Sequence, residues 1–293
     1  MIYHRMERLK QLLPLRDHTQ FEEVSEILLN RVQLVINNHR YGLVEIEFYL
    51  CNDDHPDVFC HQFQDQKTNL QWYFHKSTES KPHCYKGGNY KGLDLTCGSQ
   101  HSYGGILIRS IQSLDSPSNA IIEGPCCCVN KILELCQCNQ ILNLVSNTNF
   151  TTDVVNCGLL RLESRPAPYV SLMPVFRSPR VGLTLKKSDQ SDARQKYLLK
   201  PYRYLTRPGR ISKYKKLTTL IAIAERTPSL IQPHFGLKST RVDELRREII
   251  TLQAKNTTID QFQGQDLTDS QRAELYFAGS QTSQQIPSPV SKT

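Results

Sequence analysis

The sequence predicts one α+β domain over residues 18–235, followed by an appendage, and three observations carry that expectation. Residues 44–50, VEIEFYL, alternate apolar and polar side chains with the period of a half-buried strand. Thr19–Glu22 reads as a capping box and opens a stretch with Phe21, Val24, Leu28, Val32 and Val35 at helical spacing. Further on, short strand-like runs recur between turn residues.

In chain order, residues 1–17 are a basic, acid-poor extension without the apolar segment of a secretory signal, which leaves organelle targeting open. The helix from Thr19 should end near Asn37-Asn38, ahead of the VEIEFYL strand. Residues 51–68 are polar and rich in His and Asp, the composition of a loop. Gln71–His75 reads as a short strand and Lys81–Gly88 as a turn-rich loop. Tyr90–Thr96 and Gly105–Gln112 read as two more strands. Pro125 sits where a first helical turn accepts proline, so a helix should run through Ile132, Leu133 and Leu135. Gly158–Glu163 and Tyr169–Phe176 form a plausible strand pair, and the stretches SPRVGLTL and KYLLKPYRYL close the folded part. Thr240–Ala254 fits one charged helix in an appendage over 236–255. From 256 to 293 the chain is Gln/Ser/Thr-rich, the composition of a disordered tail.

With 39% hydrophobic and 22% charged residues, the 293-residue chain has the make-up of a globular protein and not of a disordered one. It contains no apolar run long enough to span a membrane. The ten cysteines of an unsecreted chain should be mostly reduced. Cys60-His61 and His83-Cys84 suggest zinc, but their spacing matches no usual zinc pattern. Charge is concentrated: between Arg177 and Lys216 lie thirteen Lys and Arg residues opposed only by Asp189 and Asp192, a larger excess than the whole chain's +8. Phe176, Tyr197, Tyr202, Tyr204 and Tyr214 are interleaved, and such a tract attracts a phosphate backbone. The alternative is a solvated surface with a nuclear-import patch at ISKYKK.

On a strand, Glu45, Glu47 and Tyr49 share one face, roughly 7 Å apart. Near them in the order of the chain come His55 and His61, the aromatic cluster Trp72–His75, and Arg109. A carboxylate in a pocket walled by aromatics acts as a general base if ionised, or as an acid if desolvation raises its pKa. The plainer alternative is a solvent-facing glutamate beside core aromatics.

These segments, in this order, resemble the alkyladenine (3-methyladenine) DNA glycosylases. VEIEFYL is similar to that family's V-E-T-E-A-Y-L. GNYKGLDLT at 88–96 looks like its G-x-Y-x-C-x-N-[IV] strand, and GGILIRSI at 104–111 like its strand ending L-[LI]-R-A. GPCCCVNKIL resembles its G-P-x-x-L helix start, and SPRVGLT with KPYRYLT its R-[VI]-G-[IV] and P-[LW]-R-F-x blocks. The resemblance covers residues 42–206. It implies a curved antiparallel sheet with flanking helices, related to the C-terminal domain of formyltransferases, in a single domain.

It also implies excision of alkylated or deaminated purines from DNA by base flipping and N-glycosidic hydrolysis. Glu47 would activate the water and Arg109 would keep it ionised. Tyr49 would form one stacking wall, with His55 or His61 on the other. Three features depart from the family: Asp94 stands where its pocket has asparagine, its wedge tyrosine falls on Gly87, with Tyr85 nearby as a substitute, and neither His55 nor His61 has the spacing of its pocket histidine from the catalytic glutamate. Arg180, Lys200, Arg203 and Arg207 of the basic tract would hold phosphates. No metal or organic cofactor is implied. The partner would be damaged DNA, bound by a monomer in the nucleus, cytoplasm or nucleoid. The competing readings are a non-catalytic nucleic-acid binder on the same scaffold and a nucleoside or nucleotide hydrolase.

Overall fold

A computed structural model describes residues 4–81, 83–116, 120–166, 172–186, 191–262 and 264–278. The strands are β1 (Val32–Ile36), β2 (His39–Cys51), β3 (Asn69–Phe74), β4 (Leu93–Cys97), β5 (Tyr103–Ser113), β6 (Ile121–Glu123), β7 (Leu160–Ser164), β8 (Phe176–Ser178) and β9 (Arg203–Leu205). The α-helices are α1 (His4–Leu12), α2 (Phe21–Glu26), α3 (Pro125–Leu135), α4 (Ile141–Val145), α5 (Ser191–Leu198), α6 (Lys215–Glu225), α7 (Pro228–Phe235), α8 (Ser239–Gln253) and α9 (Asp269–Ala278). The chain divides into two compact units, the first made of residues up to Val175 together with Tyr202–Thr206, the second of Phe176–Pro201 and the residues from Arg207. The boundary therefore does not fall near 235, where composition placed it.

The first unit is mixed α/β, with an open antiparallel sheet ordered β3-β4-β5-β2-β1-β7. β6 adds to β5, and β9 runs beside the second half of β2. The expected helix through Val35 is corrected here. α2 stops at Glu26, continues as a wider helical turn over Ile27–Arg31, and gives way to β1. Val32, Val35 and Ile36 are β-branched and buried, which favours a strand. Asn37 and Asn38, at φ 42° and 70°, form a two-residue hairpin turn with Ile36 facing His39 across it. The cap also differs: the N-cap is Asp17, not Thr19, and its carboxylate accepts the backbone N–H of Thr19 at 2.7 Å.

β2 is buried on both faces. On one, Phe48 stacks on Phe21 of α2 with ring centroids 4.3 Å apart, and Tyr204 meets it edge-on at 5.4 Å. Emptying such a position, as in Phe48→Ala, costs about 3–5 kcal/mol. On the other face lie Glu45 and Glu47. α3 packs against β5 through a stripe that includes Cys128, Val129, Ile132 and Leu133, and the charge on Glu45 acts on the Cys128 thiol. Pro125 occupies its first turn, as the sequence suggested.

The second unit is mainly helical. α6 buries Leu217–Ile223, and α8 buries Val242, Leu245, Ile249 and Leu252 along one stripe. Contrary to the expectation of a tail disordered from 256, α9 is folded onto this unit. The Asp269 carboxylate accepts the Lys216 and Leu217 N–H groups, at 3.1 and 3.2 Å, and so caps α6. Arg272 is buried, donates to the carbonyls of Leu183 (2.6 Å) and Leu267 (3.3 Å), and lies over the Tyr214 ring. Composition missed α9 because only Ala273, Leu275 and Phe277 supply its apolar anchor. The rest of the tail, 279–293, lies outside the described residues, as do residues 169–171 of the expected Tyr169–Phe176 strand; of its remainder only Phe176 is in a strand, where it opens β8. No helix among the described residues is long and apolar enough to cross a membrane.

Candidate active site

The register of the sheet sets the geometry. Directly opposed residues of neighbouring strands point to the same face. Tyr73 opposes Asp94, Asp94 opposes Leu107, Leu107 opposes Glu47, and Glu47 opposes Arg203. One row across β3, β4, β5, β2 and β9 thus carries a phenol, two carboxylates and a guanidinium. Asp94 and Glu47 stand two strands apart, about 10 Å at the usual interstrand spacing.

At the centre of this row the ladder between β2 and β5 is irregular. Leu43 faces Ile111, Glu45 faces Ser110 and Ile46 faces Ile108, so Val44 and Arg109 are skipped. Such bulges re-aim side chains. Here Ser110 is brought opposite Glu45, while Arg109, two residues from Leu107, stays on the acidic face with its Nε 3.1 Å from Glu45 and 3.3 Å from Glu47. The Tyr49 hydroxyl donates to Glu47 Oε2 at 2.8 Å. Arg203 Nε reaches Glu45 at 2.6 Å, and the Ser110 hydroxyl donates to the same carboxylate. Both glutamates are fully buried.

Burial alone would raise the Glu45 pKa, but Arg203 and Arg109, helped by the Ser110 and Arg203 hydrogen bonds, bring it down to about 2. Burial likewise works against the Arg109 charge, and Glu47 and Glu45 overcome it, holding the guanidinium protonated above its ordinary range.

A second polar group lies at the Asp94 end of the row. His75 Nε2 is 2.7 Å from Asp94 Oδ1, and Gln66 Nε2 donates to Oδ2 at 3.2 Å. Gly105 makes room for both: a Cβ there would run into the Asp94 carboxylate and the Gln66 amide. His61 meets His75 edge-on at 4.4 Å and contacts Lys86 Nζ (3.1 Å) and the Tyr73 hydroxyl (3.4 Å). Burial, with His75 and Lys86 adding to it against Asp94, lowers the His61 pKa to about 4.

Of the residues expected at the site, Glu47, Tyr49, Arg109 and Asp94 share this face, and His61 joins them through His75. His55 does not. It stacks on His18 (5.7 Å) and neighbours Phe21 and Tyr202, the cluster packed on Phe48, which is the opposite face of β2. Tyr85 faces Lys76 across an isolated bridge at the β3 edge.

The expected phosphate contacts divide. Arg203 is fully buried on Glu45, and Arg180 is fully buried with its Nη2 donating to the Tyr197 carbonyl, so neither offers its charge to a nucleic-acid backbone. Lys200 is exposed and Arg207 half-buried. Elsewhere in the tract Arg177, Lys186 and Lys216 are paired with Glu225, Asp266 and Glu248. Sequence reasoning did not single out Gln66 as a partner of Asp94 or His75 as its main one. Nor did it assign Arg203 to Glu45. The alternation of Glu45 with Glu47 put both carboxylates on one face but gave no sign of the burial that makes them need cations.

Among the described residues no three His, Cys, Asp or Glu side chains are grouped so as to hold a metal ion. No protein-family model matches the chain. The uncharacterized protein L759 of Acanthamoeba polyphaga mimivirus is 34% identical to it over 216 residues, covering 68% of this chain and 91% of the viral protein. A likeness of that strength and extent places both in one family: the chain belongs to the family of mimivirus protein L759.

Proposed function

We propose that the chain is a DNA glycosylase that excises alkylated or deaminated purines, with Glu47 as the water-activating base. The observation that carries this reading is the row itself: Glu47, with Tyr49 and Arg109 on it, shares one sheet face with Asp94 about 10 Å away. In this reading a flipped purine lies over Leu107, its edge toward Asp94 and its sugar toward Glu47. Tyr49 swings off the Glu47 carboxylate to become a stacking wall, which admits the water. Glu47 takes a proton from that water as it attacks the anomeric carbon, and its charge stabilises the oxocarbenium-like transition state while the base leaves. Arg109 favours the ionised carboxylate. The same reading relates the sheet to the C-terminal domain of formyltransferases.

One observation favours the non-catalytic binder on this scaffold: Glu47 is fully buried, with the Tyr49 hydroxyl and Arg109 both on its carboxylate. One assay separates the two. Purified protein is incubated with duplex and single-stranded DNA containing 3-methyladenine, 7-methylguanine, hypoxanthine or ethenoadenine, and abasic sites are scored by alkaline cleavage. Release by wild type and none by Glu47→Gln is the expected result. DNA binding by both proteins with no release by either would refute the glycosylase and leave the binder.

A further inference from the structure

A second site lies away from Glu47, at the free edge of β3. A cavity of about 330 Å³ opens there, within the size range of small-molecule sites. Its floor is made by the buried Trp72, Tyr73 and Phe74, and Asp65, His83, Thr151 and Thr152 are exposed around its rim. Tyr85 and Phe150 form aromatic walls, with ring centroids 6.4 and 6.2 Å from that of Phe74.

The cavity exists because the edge is only partly covered. Gln71 bridges to Asp153 at one end and Lys76 to Tyr85 at the other, and Phe74 lies between the two bridges. Trp72 N–H donates away from β4, to the Thr152 carbonyl at 2.6 Å. In an antiparallel ladder such outward-facing residues alternate. Phe74 therefore also turns its N–H and C=O outward, an adjacent donor and acceptor between aromatic walls. At the rim, Lys76 Nζ is 2.5 Å from Asp65, whose side chain is 47% exposed.

We propose that this cavity is a nucleotide site, with the base held between Phe74, Tyr85 and Phe150, its hydrogen-bonding edge on the Phe74 backbone, and its phosphate replacing Asp65 on Lys76. Stacking walls tolerate any base, a backbone donor–acceptor pair matches a base edge, and a lysine at the rim suits a phosphate. The ligand is either a free mononucleotide or one nucleotide of a single strand. The site goes beyond the glycosylase reading and does not depend on Glu47. Tyr73 is three strands from Glu47 along the row, about 14 Å.

Trp72 is the chain's only tryptophan and lines the cavity, so its emission reports occupancy directly. The full-length protein is titrated with AMP, adenosine, inorganic phosphate and a short oligodeoxyadenylate, read by Trp72 emission and by calorimetry. AMP should bind saturably, about tenfold tighter than adenosine. Lys76→Gln should remove that advantage, Asp65→Asn should enlarge it, and Phe150→Ala should weaken AMP and adenosine alike. Asp65 is exposed and Lys76 partly so, so those variants keep the test valid even if Phe150→Ala disturbs folding. Tighter binding of the oligonucleotide than of AMP identifies a strand as the source, and the reverse identifies the free nucleotide. Glu47→Gln should bind as wild type does, whether or not it releases bases. No saturable response to any nucleotide up to millimolar concentration overturns the proposal. So does inorganic phosphate reproducing the full response, or AMP binding unchanged in both Lys76→Gln and Phe150→Ala.

Discussion

Glu45→Gln tests the electrostatic core of the sheet. The side chain is fully buried and lies 2.6 Å from Arg203 Nε and 3.1 Å from Arg109 Nε. A carboxyl lowered from its ordinary 4.5 to about 2 is worth roughly 3 kcal/mol to the folded state at neutral pH. Because the folded pKa is the lower one, this stability is complete above about 4.5 and is lost as pH falls through about 2. The amide keeps the shape and removes the charge, and breaking one side of a buried pair costs about 3–5 kcal/mol. Urea unfolding followed by Trp72 emission reads the first unit, where that residue lies. At pH 7 the variant's midpoint should fall by roughly 2 M, taking a urea slope of about 2 kcal/mol/M. At pH 3 the gap between variant and wild type should narrow by roughly 2 kcal/mol, because the unfolded wild-type chain takes up a proton on Glu45 below about 4.5, while folded Glu45 is still ionised and the variant has nothing there to titrate. Equal stability at pH 7, or a gap that does not change with pH, would refute the reasoning.

Gly105→Ala drives a methyl into the Asp94 carboxylate and the Gln66 amide, and should cost about 1–3 kcal/mol in the same urea assay. A loss below half a kcal/mol, on the order of a surface change, would mean that this close approach relaxes freely. Asp269→Ala removes the cap of α6 and should lower helical stability by about 0.5–2 kcal/mol, seen as an earlier far-UV transition with Trp72 emission unaffected. The His61 ring protons should titrate with a midpoint near 4 by NMR. Since the folded pKa lies below the ordinary 6.5, the unfolded chain takes up the proton first, and His61 costs stability as pH falls from 6.5 to about 4. A midpoint near 6.5 would show an open, solvated ring instead.

The two-residue period of VEIEFYL gave the central strand and put Glu45, Glu47 and Tyr49 on one face, because side-chain alternation is a property of the chain itself. It did not reveal that this face is buried, which depends on α3 arriving from 80 residues further on. Val32 and Val35 fit a helix and a strand equally well in spacing, and the decision was made by Asn37-Asn38, whose left-handed backbone turns β1 back onto β2. A basic residue in a sequence carries no mark of burial. Arg180 and Arg203 therefore read as surface charge, although Arg203 completes the Glu45 pair and Arg180 serves a backbone carbonyl. His55 and His61 were indistinguishable by spacing, and only the two faces of β2 separate them.

The short strand β9 has a consequence for synthesis. Residues 176–201 leave the first unit before Tyr202–Thr206 return to it, so that unit is not one continuous segment. On the ribosome, the chain up to Val175 emerges with Glu45 beside Arg109 but still without Arg203, and along Glu45–Glu47 β2 has β5 on one side but not yet β9 on the other. The half-built acidic face must wait for some thirty more residues before its second cation arrives. Folding of the first unit is thereby tied to translation of the beginning of the second, and a fragment ending at 206 is the shortest that carries the whole of the first unit, Arg203 included.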